Sequence, residues 1–261
     1  MSDTPTIFSA DYYRKLAALE RSHPWFRGTR KVAASVIRRV FGNPPGGLRI
    51  LDVGCGTGAT IEWLRQFAGT HPVVGIDLSP AAVRLASRSG RTAISAAEGL
   101  PFANASFDLI YCADMVQHLE LAERTAALAE FHRVLRTGGG VVVRSNLATG
   151  RPDNAEAGYA DFDYIRFPGE LKAQGFDVPV AGRIAVISGL LSRFRKQDAG
   201  SGWKSQGLAI APLTGLGHLI GMGLSAGFSA ETLAFSTFGR LPSMGTSSLF
   251  VGVRDDPFER A

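Results

Sequence analysis

The chain has 261 residues, 45% hydrophobic and 20% charged, with 28 Lys and Arg against 23 Asp and Glu for a net charge of +5. That length and apolar content support one large core, or a core with a small cap, and exclude a disordered or fibrous chain. The 31 glycines follow no three-residue period, and with the 13 prolines they stay below the share of about 25–30% that marks low-complexity sequence. The modest positive charge permits an anionic partner without demanding one.

Residues 1–20 scatter Asp3, Asp11, Arg14 and Lys15 among short apolar clusters, which leaves no secretory apolar stretch and points to a cytoplasmic protein. Residues 11–40 read as two helices, with apolar positions at Leu16, Leu19, Val32, Val36, Ile37 and Val40 and a break at Ser22-His23-Pro24. After the turn Asn43-Pro44-Pro45-Gly46-Gly47, residues 48–53 form a short apolar run suited to a central parallel strand. Helix 60–67, strand 72–77, helix 80–89, strand 107–112, helix 122–135 and strand 140–145 follow. That alternation predicts a parallel sheet covered on both faces.

Beyond Asn146 the pattern loosens through a polar segment at 150–163, then gives a short helix at 169–173 and a strand at 176–184. A basic stretch carrying Arg193, Arg195, Lys196 and Lys204 leads into residues 205–230, which hold no formal charge. This run exceeds the roughly 18 apolar residues needed to span a bilayer. Its six glycines, Pro212 and His218 make it a poor spanning helix, so no integral membrane segment is expected. Residues 246–254 alternate, with Leu249, Val251 and Val253 on one side, as a last strand would. Cys55 and Cys112 offer neither a disulfide framework nor a zinc spacing.

The chemistry concentrates in Leu51-Asp52-Val53-Gly54-Cys55-Gly56-Thr57-Gly58, where a predicted strand runs into a predicted helix. Glycines there let the backbone turn sharply and a ligand approach, or else serve tight strand–helix packing. Asp77 closes the next apolar strand at about the 20-residue offset where a carboxylate takes both ribose hydroxyls. Capping the next helix is its alternative role. Leu78-Ser79-Pro80 supplies no arginine for a 2′-phosphate. The spacing is G-x-G-x-G, without the extra residue of the nicotinamide fingerprint, and Asp52 stands just upstream. A ligand with a cationic amino-acid tail, such as S-adenosylmethionine, suits that carboxylate better than a pyrophosphate does.

This stretch resembles motif I of the class I S-adenosylmethionine-dependent methyltransferases, in the small-molecule group related to the menaquinone and ubiquinone biosynthesis enzymes. Val74-Gly75-Ile76-Asp77-Leu78-Ser79 is similar to the acidic second-strand motif. Leu100-Pro101-Phe102 with Ser106-Phe107-Asp108 resembles the third, and Arg133-Val134-Leu135-Arg136 with Gly138-Gly139-Gly140 the turn before strand five, so the likeness covers residues 45–146. Where such proteins often carry an Asp four residues before the Leu-Pro-Phe, this chain has Ala96, with Glu98 two residues nearer. The adenine is therefore expected on backbone near Ala97 and against Leu78. Glu20-Arg21-Ser22-His23-Pro24-Trp25-Phe26-Arg27-Gly28-Thr29-Arg30 is similar to an entry segment of some members that closes the site. The resemblance implies cofactor contacts from Trp25, Arg27, Asp52, Gly54, Cys55, Gly56, Gly58, Asp77, Leu78, Ala97, Glu98 and Cys112, with S-adenosylhomocysteine as product.

Methyl transfer from a sulfonium needs alignment and exclusion of water, and an oxygen or amine acceptor must also lose a proton. His118, after the strand at 107–112, is the first choice of base, with a supporting role for the loop equally open. His23 and His218 are rivals. Asp114, Asp153 and Asn154 read as loop residues, and no metal is expected. Cys112-Ala113-Asp114-Met115 lacks the Asp/Asn-Pro-Pro-aromatic of amino-methyltransferases acting on nucleic acid, so no nucleic-acid partner is expected.

The expected fold is α/β and Rossmann-like, a mostly parallel seven-stranded sheet with its last strand antiparallel. N-terminal helices at 1–42 close the site, the core takes 43–186 and 239–261, and a helical cap fills 187–238. The expected function is methyl transfer to an oxygen, nitrogen or carbon of a hydrophobic small molecule, a secondary metabolite or a lipid-linked sugar. Cofactor binding without transfer and a cyclisation on the same fold are the alternatives, and a homodimer is left open.

Overall fold

The structure is a computed structural model that describes residues 9–42, 44, 46–146, 160, 162–184, 216–238, 241 and 247–255. Apolar runs too short for helices build the middle of one sheet. β1 (Ile50–Val53) is buried along its whole length and pairs in parallel with β2 (Val74–Asp77) and β4 (Phe107–Ala113). β3 (Arg91–Ile94) extends the sheet beyond β2, and β5 (Leu135–Asn146) continues it beyond β4, all in parallel. β7 (Ser247–Arg254) enters antiparallel between β5 and β6 (Phe176–Ile184), giving the order β3-β2-β1-β4-β5-β7-β6. The sheet is thus mostly parallel, as the strand–helix alternation predicts, with the last strand reversed, as the family resemblance implies.

Strand alternation divides the core into two layers. Ile50, Leu109, Tyr111, Val142, Leu249 and Val251 face one layer, where α2 (Pro24–Phe41), α3 (Ala59–Ala68) and α7 (Leu216–Phe238) pack. Leu51, Val53, Ile110, Val141, Val143 and Phe250 face the other, covered by α5 (Leu121–Val134) and α6 (Phe167–Ala173). α1 (Ala10–Glu20) and α4 (Pro80–Ala86) touch each other beside the end of β2. Ser9 caps α1 and Ser79 caps α4.

Sequence periodicity alone does not reveal β3. It is an edge strand with three of its four residues exposed, so Arg91-Thr92-Ala93-Ile94 carries no burial alternation. Residues 187–215 of the expected cap lie outside the described residues. The described helix α7 carries Phe228, Glu231 and Phe235 on one buried face against α2. These two aromatic rings belong to the core layer. No described helix is long and apolar enough to cross a membrane.

Gly28 allows this packing. A Cβ on it would stand 1.9 Å from Cδ2 of Phe228, so the ring rests directly on the backbone of α2. Gly28→Ala is expected to lower unfolding free energy by about 1–3 kcal/mol through overpacking, as read by urea denaturation. Combining it with Phe228→Ala is expected to cost less than the sum of the two single variants, because the clash then has no partner.

Candidate cofactor site

The site forms at the carboxyl end of β1, β2 and β4, where parallel sheets place ligands. Gly54, Gly56 and Gly58 all have positive φ (73°, 52° and 85°). Gly54 and Cys55 both donate their N–H to the Ile76 carbonyl at 2.9 Å, clamping the loop onto the end of β2. Added side chains would collide with Met115 at Gly54 and with Ala86 and Ser89 at Gly58, so close packing accounts for those two glycines. Gly56 differs. A Cβ there would meet nothing within 4 Å, yet its backbone is left-handed, and its N–H donates to Asp77 Oδ2 at 2.9 Å.

Asp77 also accepts from the Ser79 N–H on Oδ1 at 2.8 Å. Its carboxylate therefore ties the glycine loop to the start of α4, and each oxygen keeps a further lone pair for an incoming donor. Burial raises the Asp77 pKa, and the two backbone N–H groups oppose that shift. Tyr13 of α1 is buried beside it, with its phenol pushed up first by burial and then by the Asp77 charge. Leu78 is 70% exposed immediately after Asp77, while Ala97 is buried and Glu98 half-buried on the segment after β3.

Asp52 is 1% exposed and lies opposite Tyr111. Its Oδ2 has no hydrogen-bond partner among the described residues. Burial pushes its pKa well up, reinforced by Glu20 and Asp77 and opposed by Arg30. Glu20, the last residue of α1, accepts a hydrogen bond from the Thr57 hydroxyl in the glycine loop. Arg30 Nη1 donates to the Glu20 carbonyl at 3.1 Å. The N-terminal helices are thus fastened to the loop through Glu20.

Arg144 in β5 shares this face. It pairs with Asp114 and lies 4.8 Å over the ring of Trp25, which is 3% exposed. Asp114 itself has φ +55°, an uncommon conformation for a residue with a side chain. The Trp25 Nε1 and Arg144 Nη1 donors have no partner among the described residues.

Several expected residues occupy distinct settings. Arg27 is exposed and lines a groove between α2, α3 and α7, whereas Arg30 is the arginine beside Asp52 and Glu20. Cys55 and Cys112 are both buried, and burial pushes both thiols up, so neither is an activated thiolate. His118 is half-buried at the end of a 3-10 turn, Val116–His118, that follows β4. Arg124 steadies that turn by donating to the Leu119 carbonyl at 2.8 Å while pairing with Glu170 of α6. His23 caps α2 by accepting from the Trp25 N–H on Nδ1, and burial lowers its pKa. The His218 side chain lies outside the described residues.

Sequence reasoning passed over Tyr13, Thr57, Glu20 and Arg144 as site residues. Arg144 did leave a signal, a lone arginine interrupting the apolar run Val141-Val142-Val143. Thr57 and Tyr13 left none, because only the approach of α1 to the loop gives them a role.

Residues 51–143 match the methyltransferase domain family. Over 121 residues the chain is 36% identical to an O-methyltransferase of Pyrenophora dematioidea, covering 42% of this chain and 43% of that protein. Over 169 residues it is 34% identical to a malonyl-[acyl-carrier protein] O-methyltransferase of Dechloromonas aromatica, covering 59% and 61%. The chain spans about half the length of the curated relatives it matches. Among solved structures, a methyltransferase in complex with the Haloferax volcanii Trm112 activator aligns with a TM-score of 0.63 at 16% identity, covering 97% of this chain and 98% of that one. With the strand order and the glycine loop, the family match shows that residues 51–143 carry a methyltransferase domain, and the likeness to the solved structure shows its fold.

The raised carboxyls have a measurable consequence. Above the ordinary carboxylate range, and up to the raised values of Asp52 and Glu20, the folded chain holds more protons than the unfolded one. Stability therefore falls as pH rises through that window. Asp52→Asn and Glu20→Gln are each expected to flatten this fall, measured as the denaturation midpoint against pH. An unchanged slope in both variants would refute the raised values.

Proposed function

We propose that the chain methylates an oxygen atom of a small hydrophobic acceptor, with S-adenosylmethionine as donor. The observation that carries this reading is Gly56: left-handed backbone with open space outside it, its N–H held by the carboxylate that ends β2. The residues present fit the donor. Asp77 has spare lone pairs for two ribose hydroxyls, Leu78 offers an exposed apolar surface for the adenine, and backbone near Ala97 and Glu98 borders it. The unpartnered Asp52 Oδ2 suits an ammonium group, and Arg30 or the free donors of Arg144 and Trp25 suit a carboxylate.

When bound, S-adenosylmethionine supplies an electrophilic methyl group on a positively charged sulfur. The protein orients the reactants and keeps water from them, which α1 and α2 serve by covering the glycine loop. An acceptor hydroxyl must surrender its proton, and His118 takes it on an imidazole nitrogen at the carboxyl end of β4. His23 is less suited because its Nδ1 lone pair is spent on the Trp25 N–H. The oxygen acceptor is supported by the O-methyltransferase relatives.

Asp77→Ala is expected to weaken S-adenosylmethionine binding by about 1–3 kcal/mol in isothermal titration, through loss of charged hydrogen bonds. Unaltered affinity would remove Asp77 from the ribose. His118→Ala is expected to slow turnover about 10²–10⁴-fold with near-normal donor affinity. Wild-type turnover in that variant would retire the base. Acceptors should gain the mass of one methylene in the presence of donor, and tight donor binding without any such gain would favour a non-transferring protein.

A further inference from the structure

A groove of about 590 Å³ runs between α2, α3 and α7, away from the glycine loop: neither Asp52, Gly56 nor Asp77 lines it. Its floor is a stripe of α2 that presents Arg27, Arg30, Lys31 and Arg38, at spacings of three, four and seven residues. No Asp or Glu is among its lining residues. Arg30 meets Glu20 and Asp52 on its inner side, but Arg27, Lys31 and Arg38 have no acid beside them in the groove lining, and like charges spaced along a helix repel until an anion arrives.

Two of the cations are fixed in place. Arg38 Nη2 donates to Gln66 Oε1 at 2.8 Å and lies over Phe67, and Arg30 is held by the Glu20 carbonyl. Arg27 and Lys31 stand between them, both exposed. The opposite wall is different in kind. The hydroxyls of Ser229, Thr232 and Ser236 all donate to carbonyls of α7 itself, so that helix gives an anion no hydroxyl proton. What α7 and α3 offer instead is apolar surface, from Leu233, 67% exposed, and from Trp63.

We propose that this groove binds an amphipathic organic anion, with a carboxylate or phosphate head on Arg27 and Lys31 and an apolar body against Trp63 and Leu233. Cations on one wall and apolar surface on the other match such a ligand better than a bare inorganic ion, which would leave Leu233 and Trp63 unused, or a neutral lipid, which would leave the charges unmet. The inference stands apart from the methyl-transfer reading.

Isothermal titration of the full chain with decanoate, in saturating S-adenosylhomocysteine, tests it, with decanol and inorganic phosphate as comparison probes. Decanoate is expected to bind saturably, more weakly as salt rises, and at least about tenfold more weakly to the Arg27→Ala/Lys31→Ala variant, whose exposed positions leave the fold intact. Leu233→Ser is expected to weaken decanoate while leaving inorganic phosphate unchanged. Equal binding of decanol, an unaffected double variant, or loss of binding on adding S-adenosylhomocysteine would each overturn the proposal. Sedimentation with phosphatidylglycerol but not phosphatidylcholine vesicles, lost in the double variant, would make the anion a lipid headgroup. Decanoate binding without sedimentation would make it a free small molecule.

Discussion

One carboxylate organises the cofactor end of the sheet. Asp77 leaves β2 and holds two backbone N–H groups at once, that of Gly56 in the loop after β1 and that of Ser79 at the start of α4. Those bonds tie the glycine loop to the stretch where β2 ends and α4 begins. They are charge-assisted and partly shielded from water, which makes them stronger than neutral backbone bonds. The loop has a second fastening in the Ile76 carbonyl, which takes both Gly54 and Cys55. With the inner side so fixed, the outer side of Gly56 is left open, with nothing within 4 Å of where a Cβ would stand.

Around this point lies a buried group of charges that a core built only for stability would exclude. Asp52 and Glu20 are carboxyls that burial pushes toward the neutral form, and Arg30, Arg144 and Asp114 share their layer. Ionised groups out of water are costly unless paired or bonded. Asp52 Oδ2, Trp25 Nε1 and Arg144 Nη1 lack partners among the described residues, an arrangement that suits a ligand carrying both an ammonium and a carboxylate.

The layer that carries these charges also carries α7. Phe228 reaches the backbone of α2 only because position 28 has no side chain, and α2 in turn holds Trp25 under Arg144 and Arg30 beside Glu20. α2 therefore has two working sides. Its inner side borders the glycine loop, its outer side carries Arg27, Lys31 and Arg38 on the groove floor, and Arg30 lies between the two.

The sheet and the glycine loop were legible in the sequence because they rest on local patterns. Short apolar runs, helix-length connections and the glycine spacing each arise within a few residues, and Asp77 follows from its distance down the chain. Edge strand β3 was not legible, since a strand exposed on most of its length loses the apolar repeat that marks a buried one. The choice between Arg27 and Arg30 also escaped the sequence. Both sit on one helix three residues apart, and only the direction in which α2 turns its faces against the sheet sends Arg30 toward Asp52 and Arg27 toward solvent. Sequence alone determined the glycine loop and the carboxylate that fastens it, because that pair uses backbone and one side chain in a fixed order along the chain. Tertiary structure decided which side chains close over it, because Tyr13, Glu20 and Arg144 come from segments far apart in the chain and meet only when the helices pack on the sheet.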